Sequence, residues 1–235
     1  MSDLTYYAIG DVHGELAKLD ELLRFIRDDA AHAALKPKVV FLGDLIDRGP
    51  DSRGVVERAM AMCESGEAIA VKGNHEVLLL NAYDNRESVG IYWWAENGGD
   101  ETIMSYMMAN GAKDDFRDAI DKEHLAWLRT LPVMVRGEPR GIVFVHGGID
   151  PKVFPECSEE IHLWTRSRKF FNSERWPERE ELRDLLVVHG HTPTADSQPE
   201  RERRRINVDT GACFGGPLTC AVLAPGQPPR FLRAV

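Results

Sequence analysis

Five apolar, β-branched runs each stop within a few residues of a glycine-flanked string bearing Asp, His or Asn. Tyr6 to Ile9 precedes Asp11, Val39 to Leu42 precedes Asp44, Ala68 to Val71 precedes Asn74, Ile142 to Val145 precedes His146, and Leu185 to Val188 precedes His191. Short apolar runs bounded by turn residues predict buried strands, so five strands should deliver their carboxyl ends to one place. Between the first of them the pattern turns helical. Leu16, Leu19, Leu22, Leu23 and Ile26 fall at i, i+3, i+4 spacing, and a second helix is predicted around Ser52 to Glu64. Strand and helix alternation of this kind predicts an α/β core that is largely parallel at its start. In such open sheets ligands gather outside the carboxyl ends of the strands.

From Val77 to Leu131 helix formers and aromatics replace the strand-like runs, which predicts a helical insertion beside that place. Its tryptophans, Trp93, Trp94 and Trp127, are expected to pack against a core, because aromatic stripes on helices usually do. Beyond Ile206, short runs at Arg205 to Val208, Leu218 to Leu223 and Arg230 to Arg233, broken by Gly and Pro, predict a hairpin-rich second sheet. At 235 residues and 43% hydrophobic content, the chain can bury one full core and is expected to form a single domain over residues 1–235.

Composition excludes several function classes. A net charge of -9 argues against a general nucleic-acid binder, whose affinity comes from clustered Lys and Arg. The run Arg201-Glu202-Arg203-Arg204-Arg205 is the one basic cluster, and it reads as a solvated loop before a strand, with a docking patch for an acidic partner as the alternative. Met1 to Tyr7 lacks the basic and apolar segments of a signal peptide, and no apolar run reaches the ~18 residues of a membrane span. A cytoplasmic protein without a membrane partner is expected. Cys63, Cys157, Cys213 and Cys220 form no Cys-x-x-Cys pair, so they are expected to be reduced and mostly packed. No phosphate-binding Gly-x-x-x-x-Gly-Lys loop is present, and His75-Glu76 lacks the second histidine of a zinc-protease helix.

The strings Gly10-Asp11-Val12-His13-Gly14, Gly43-Asp44-Leu45-Ile46-Asp47-Arg48-Gly49 and Gly73-Asn74-His75-Glu76 supply carboxylate, imidazole and amide donors suited to manganese, zinc or iron. A pair of such cations is the chemistry of phosphoester hydrolysis. Asp11 and His13, at i and i+2, can face one metal. Asp44 is the expected bridge, and Asn74, His146 and His191 are the expected ligands of the second metal. His189 lies two residues from His191, so the spacing alone leaves the ligand open between them, with a packed role the expectation for His189. His75 is expected to be the general acid, oriented by Asp47 as carboxylates orient histidines elsewhere. Arg48 and Arg166 are the candidate phosphate clamps, because guanidinium matches phosphoryl oxygens well; Asn74 also faces the phosphate in this reading. Glu76 is expected to stabilise the turn. His32, His124 and His162 lie outside these strings and are expected to be ordinary surface or packed residues.

With the strings at Asp11, Asp44 and Asn74 and with His146 and His191, the chain resembles the phosphoprotein phosphatase family of metallophosphoesterases from Tyr7 to about Thr219. It is most similar to the compact bacterial and phage serine/threonine phosphatases, sharing Trp94-x-x-Asn97-Gly98-Gly99, Trp164-Thr165-Arg166 and Val208-Asp209-Thr210-Gly211. The resemblance implies an α+β, four-layer α/β/β/α sandwich, two divalent metal ions, often manganese, and direct attack on phosphorus by metal-activated water. It implies His191, not His189, as ligand, and Arg48 and Arg166 on the phosphate. A phosphoserine or phosphothreonine protein, or a small phosphoester, is the implied substrate. Symmetrical diadenosine tetraphosphate hydrolases are the rival family, but their strings typically read Gly-Asn-His-Asp and lack an Asp at the position of Asp47. A non-catalytic metal-binding protein is a remote third reading.

Overall fold

The computed structural model describes residues 4–85, 88–138 and 141–235, so the first three residues of the N-terminal stretch and 86–87 of the expected helical insertion lie outside it. The chain runs β1 (Leu4–Ile9), α1 (Leu16–His32), β2 (Lys36–Phe41), α2 (Ser52–Glu64), β3 (Ala68–Ala70) and α3 (Asn74–Asp84). It continues through α4 (Ser88–Trp94), a π-turn at Ala95–Gly99, α5 (Asp100–Asn110) and α6 (Lys122–Thr130), with no strand among the described residues between β3 and β4. Then come β4 (Met134–Arg136), β5 (Ile142–Val145), α7 (Glu159–Trp164), α8 (Arg168–Phe171), β6 (Leu186–His189), β7 (Glu200–Arg201), β8 (Arg205–Asn207), β9 (Leu218–Leu223) and β10 (Arg230–Ala234).

Two five-stranded sheets result, ordered β10-β9-β1-β2-β3 and β4-β5-β6-β8-β7. Strand alternation assigns the layers, because neighbouring residues on a strand face opposite sides. In β1, Tyr7 and Ile9 pack under α1 and α2 with Val39 and Phe41 of β2, while Tyr6 and Ala8 turn inward. There they meet Phe144, Val188 and Ile206 of the second sheet. The far face of that sheet, Val143, Val145 and Val187, packs on Phe154, Phe170, Trp176 and Leu182. Helices, sheet, sheet and an outer layer of short helices and loops therefore stack in that order, as the four-layer expectation has it.

The last strands depart from expectation. Only β8 joins the second sheet; β9 pairs antiparallel with β1, Ile9 opposite Cys220, and β10 pairs with β9. The physical reason lies in burial: every residue of β9 is buried, so it is an interior strand with two covered faces, and it fills the edge of β1 that β2 leaves open. The hairpin is fastened to α1 by Asp29, which accepts bidentate hydrogen bonds from Arg230 at 2.6 Å each and one from the Tyr7 hydroxyl at 2.7 Å. Strand β4 was not foreseen, since three residues carry no usable period.

All five strands named at the outset end on one rim, where the site residues gather. No helix of the described residues is long and apolar enough to cross a membrane.

Candidate active site

The loop after β1 supplies Asp11 and His13, that after β2 Asp44, Asp47 and Arg48, the start of α3 Asn74 and His75, and the loops after β5 and β6 His146 and His191. All but Arg48 are buried. Five of them, His13, Asp44, Asp47, Arg48 and His191, hold φ between 45° and 73°. Left-handed backbone costs L-residues energy and persists only where surrounding contacts impose it. Here those contacts are backbone hydrogen bonds between the loops: His13 N–H donates to Asp44 O at 2.9 Å, Gly14 N–H to Leu45 O at 2.9 Å, and Arg48 N–H to Gly98 O at 2.9 Å.

Asp44 sits at the centre. Its Oδ2 lies 3.2 Å from His146 Nε2, 3.5 Å from His13 Nε2 and 3.9 Å from His75 Nε2. Two buried triads share it, His13 with Asp44 and His75, and Asp44 with His146 and His191, and in each the donor atoms lie within 4.8 Å of one another. His13 and His146 each donate Nδ1–H to a backbone carbonyl, Ile46 O at 2.7 Å and Leu42 O at 2.9 Å, which turns both Nε2 atoms toward Asp44. Such outer hydrogen bonds are how metal-ligating histidines are oriented. Asn74 Oδ1 and His191 Nδ1 approach His146 Nε2 at 2.8 and 3.1 Å. A shared carboxylate between two histidine-bearing clusters is a donor set that fits a pair of divalent cations.

The electrostatics favour that fit at Asp44 and His13 and oppose it at His146, whose proton a cation would have to displace. Burial opposes charge on Asp44, but His146, His75 and His13 around it hold its carboxyl well below the usual carboxylate range. Burial likewise opposes a charged ring at His146, yet Asp44 and Asp11 push its pKa up to about 10. Burial drives His13 down to about 3. The pocket thus holds fixed negative charge and at least one neutral imidazole, the state in which imidazole can ligate.

Asp11 is brought to the same place. Its carboxylate accepts the His191 backbone N–H at 3.0 and 3.1 Å and lies outside the two tight triads. Gly190 makes room for it, since a Cβ there would collide with Asp11 Oδ1. Asp209, quoted above only within a shared string, packs against Asp11; burial and the neighbouring Asp44 raise its pKa to about 6.

His75 Nδ1 lies 2.6 Å from Asp47 Oδ2. Burial works against a protonated His75, but Asp44 and the Asp47 bond outweigh it and the pKa rises. Asp47 is fully buried and also accepts from Trp94 Nε1 at 3.0 Å and from the Thr102 hydroxyl at 2.7 Å. Trp94 packs as expected, whereas Trp93 is 58% exposed and does not; Trp94 also positions Asp47, and Thr102 was missed altogether. The legible signal was the Trp94-x-x-Asn97-Gly98-Gly99 string: Gly98, at φ 96°, lets the chain pass Arg48, where a Cβ would come within 2.6 Å of Arg48 Cγ. Glu76 accepts the backbone N–H groups of Gly73, Asp44 and Leu45 at 2.7 to 2.9 Å, which locks the second loop to the third.

Arg48 donates to His13 Nε2 at 2.7 Å and His75 Nε2 at 2.9 Å. Exposed Arg166 donates to His191 Nε2 at 3.3 Å and to His191 O at 3.4 Å. His189 points the other way, into the outer layer, where it packs on Phe170 at 4.8 Å and burial lowers its pKa to about 3. His162 is buried with Nδ1–H on Gly148 O, and His124 pairs with the Tyr106 hydroxyl.

The family model for calcineurin-like phosphoesterases matches residues 4–220. Serine/threonine-protein phosphatase 1 of Salmonella typhimurium is 31% identical over 224 residues, covering 92% of this chain and 90% of that one. An asymmetrical bis(5'-nucleosyl)-tetraphosphatase of Anoxybacillus flavithermus is 25% identical over 229 residues, covering 92% and 89%. Among solved structures, a candidate diadenosine tetraphosphatase superposes with a TM-score of 0.69 at 21% identity, covering 100% of this chain and 99% of that one, a likeness of fold. The relatives' family is dimetal-dependent and hydrolytic. With its matched span, its two-sheet sandwich and its rim of Asp, His and Asn donors, this chain belongs to the calcineurin-like phosphoesterases, hydrolases that act on phosphoester bonds.

Proposed function

We propose that the protein is a phosphomonoester hydrolase acting on phosphoserine or phosphothreonine, with His75 as the acid that protonates the departing oxygen. The observation that carries this reading is the 2.6 Å bond from His75 Nδ1 to Asp47, a carboxylate clasped from behind by Trp94 and Thr102. That arrangement fixes the ring, favours its charged form and turns Nε2 toward Asp44. An alkoxide leaving group needs such a proton donor.

In this reading Asp11, His13 and Asp44 hold one cation, and Asp44, Asn74, His146 and His191 hold the other, with manganese the proposed metal and iron or zinc the alternatives. When bound, the two cations neutralise phosphoryl charge and lower the barrier to attack by water. Arg48 and Arg166 flank the histidines and grip phosphoryl oxygens. Arg48 Nη2 now faces His75 Nε2 at 2.9 Å, so Arg48 must turn toward the phosphate before Nε2 can carry the proton it donates. The 31% identity to a serine/threonine-protein phosphatase supports the same substrate class.

A second reading, hydrolysis of a dinucleoside polyphosphate, is favoured by one observation. Phe214 is 65% exposed, and its ring centroid lies 5.3 Å from the Arg48 guanidinium, so a flat face is offered at the lip of the site to a nucleobase. Several relatives bear tetraphosphatase names. Product analysis separates the two: manganese-loaded protein receives a phosphoserine/phosphothreonine peptide and diadenosine tetraphosphate in parallel. Faster phosphate release from the peptide is the expected result; preferential cleavage of the dinucleotide overturns it.

A further inference from the structure

The run Arg201-Glu202-Arg203-Arg204-Arg205 has no part in the site above. Its first four residues line a cleft of 1590 Å³ together with α8, the segment leading into β6, and Pro229 from the turn between β9 and β10. The cleft meets Leu185 and Leu186, where β6 begins, whereas His191 follows the end of that strand. The two concavities therefore open at opposite ends of the second sheet.

Charge in the cleft runs against that of the molecule. The chain carries a net -9, yet eight Lys or Arg residues line this cleft against four acidic ones. Lys169, Arg175, Arg201 and Arg203 are exposed. Arg205 is satisfied, donating to Glu200, to Glu202 and to Phe171 O. Arg204 is not. It is 9% exposed, its Nη2 donates to Glu178 at 3.2 Å, and its buried Nη1 has no partner among the described residues. Glu178 is itself 89% exposed, so it is a loose partner. A buried donor left unpaired is costly, and in native structures a protein group or an ordered water usually meets it.

We propose that this cleft docks an extended acidic segment of a protein partner, whose carboxylates meet the exposed Lys169, Arg175, Arg201 and Arg203. The volume exceeds the ~300–1,000 Å³ of ordinary small-molecule pockets, which favours a length of chain over a single anion. Single-stranded nucleic acid is disfavoured because it binds on exposed aromatic platforms. Here Trp176 is 3% exposed and the Arg205 guanidinium covers Phe171, 5.1 Å from its centroid. The proposal goes beyond the hydrolytic reading, since docking is measured without turnover.

The test is fluorescence anisotropy with a labelled Glu/Gly peptide, its Gln/Gly counterpart and an oligothymidylate of equal charge. The Glu peptide should bind, more weakly as salt rises. Arg175→Glu with Arg203→Glu, both exposed positions, should weaken it by about tenfold or more while leaving hydrolysis of a small phosphoester unchanged. Lys169→Glu with Arg201→Glu, a second exposed pair, should weaken it likewise; if one reversed variant does not fold, the other decides. Equal binding of the Gln peptide, or an unaltered dissociation constant in a reversed variant, overturns the proposal. Tighter binding of the oligothymidylate overturns it in favour of nucleic acid.

Discussion

His75 and Asp44 are neighbours that the proposed chemistry uses differently, and substitution should separate them. General acids are worth about 10²- to 10⁴-fold, so His75→Asn should lower kcat on an alkyl phosphate by that much while bound metal stays nearly constant. Full kcat in that variant would remove His75 from the mechanism. Asp44→Asn takes the shared charge from both triads, so elemental analysis should find both metals depleted; normal occupancy would contradict a bridging role. These residues were legible because Gly-flanked strings after apolar runs place them by chain geometry alone. Legibility ended at the partners of these residues. The His191 amide holds the Asp11 carboxylate from across the rim, a contact that no spacing in the chain announces. Thr102 lies fifty-five residues from Asp47, on a helix whose pattern carries no chemical signal.

At the scale of elements, α4 and α5 act as the back wall of the His75–Asp47 pair. Trp94→Phe deletes the N–H that Asp47 accepts together with part of a fully buried indole, which should cost about 1.5–3 kcal/mol for the bond plus a cavity contribution in unfolding, and reduce kcat without changing metal content. An unchanged kcat would leave Trp94 with a packing role only. The β9–β10 hairpin offers an independent test through pH. Asp29 has its carboxyl held below the ordinary range, first by the Arg230 hydrogen bonds. A depressed folded-state pKa contributes stability above the unfolded value, near ~4, and loses it as pH falls through the folded one. The pair is partly exposed, so Arg230→Gln should cost only about 0.5–1 kcal/mol at neutral pH. In chemical denaturation that difference should shrink toward zero in acid; a constant difference would show that packing, not the ion pair, carries it. The hairpin was legible as strands but not as a partner of β1, because pairing across more than two hundred residues leaves no local trace in either segment.

For the whole molecule, the two sheets converge on a rim whose buried carboxylates and imidazoles are grouped as cation ligands are. Adding manganese to chelator-stripped protein should raise the melting temperature, by about 2.7 kcal/mol of linkage when free metal is a hundred times its dissociation constant. No shift would mean the rim is not a metal site. Five left-handed residues on that rim have a further consequence, for how this chain can change. At His13, Asp44, Asp47, Arg48 and His191 a glycine would relieve the backbone, but at Asp47 it would also discard the bonds to His75, Trp94 and Thr102 that hold the fold together there. A thermostability screen run without a turnover criterion should therefore spare Asp47, and the left-handed positions that it does give over to glycine will mark where usefulness, not foldability, keeps a side chain.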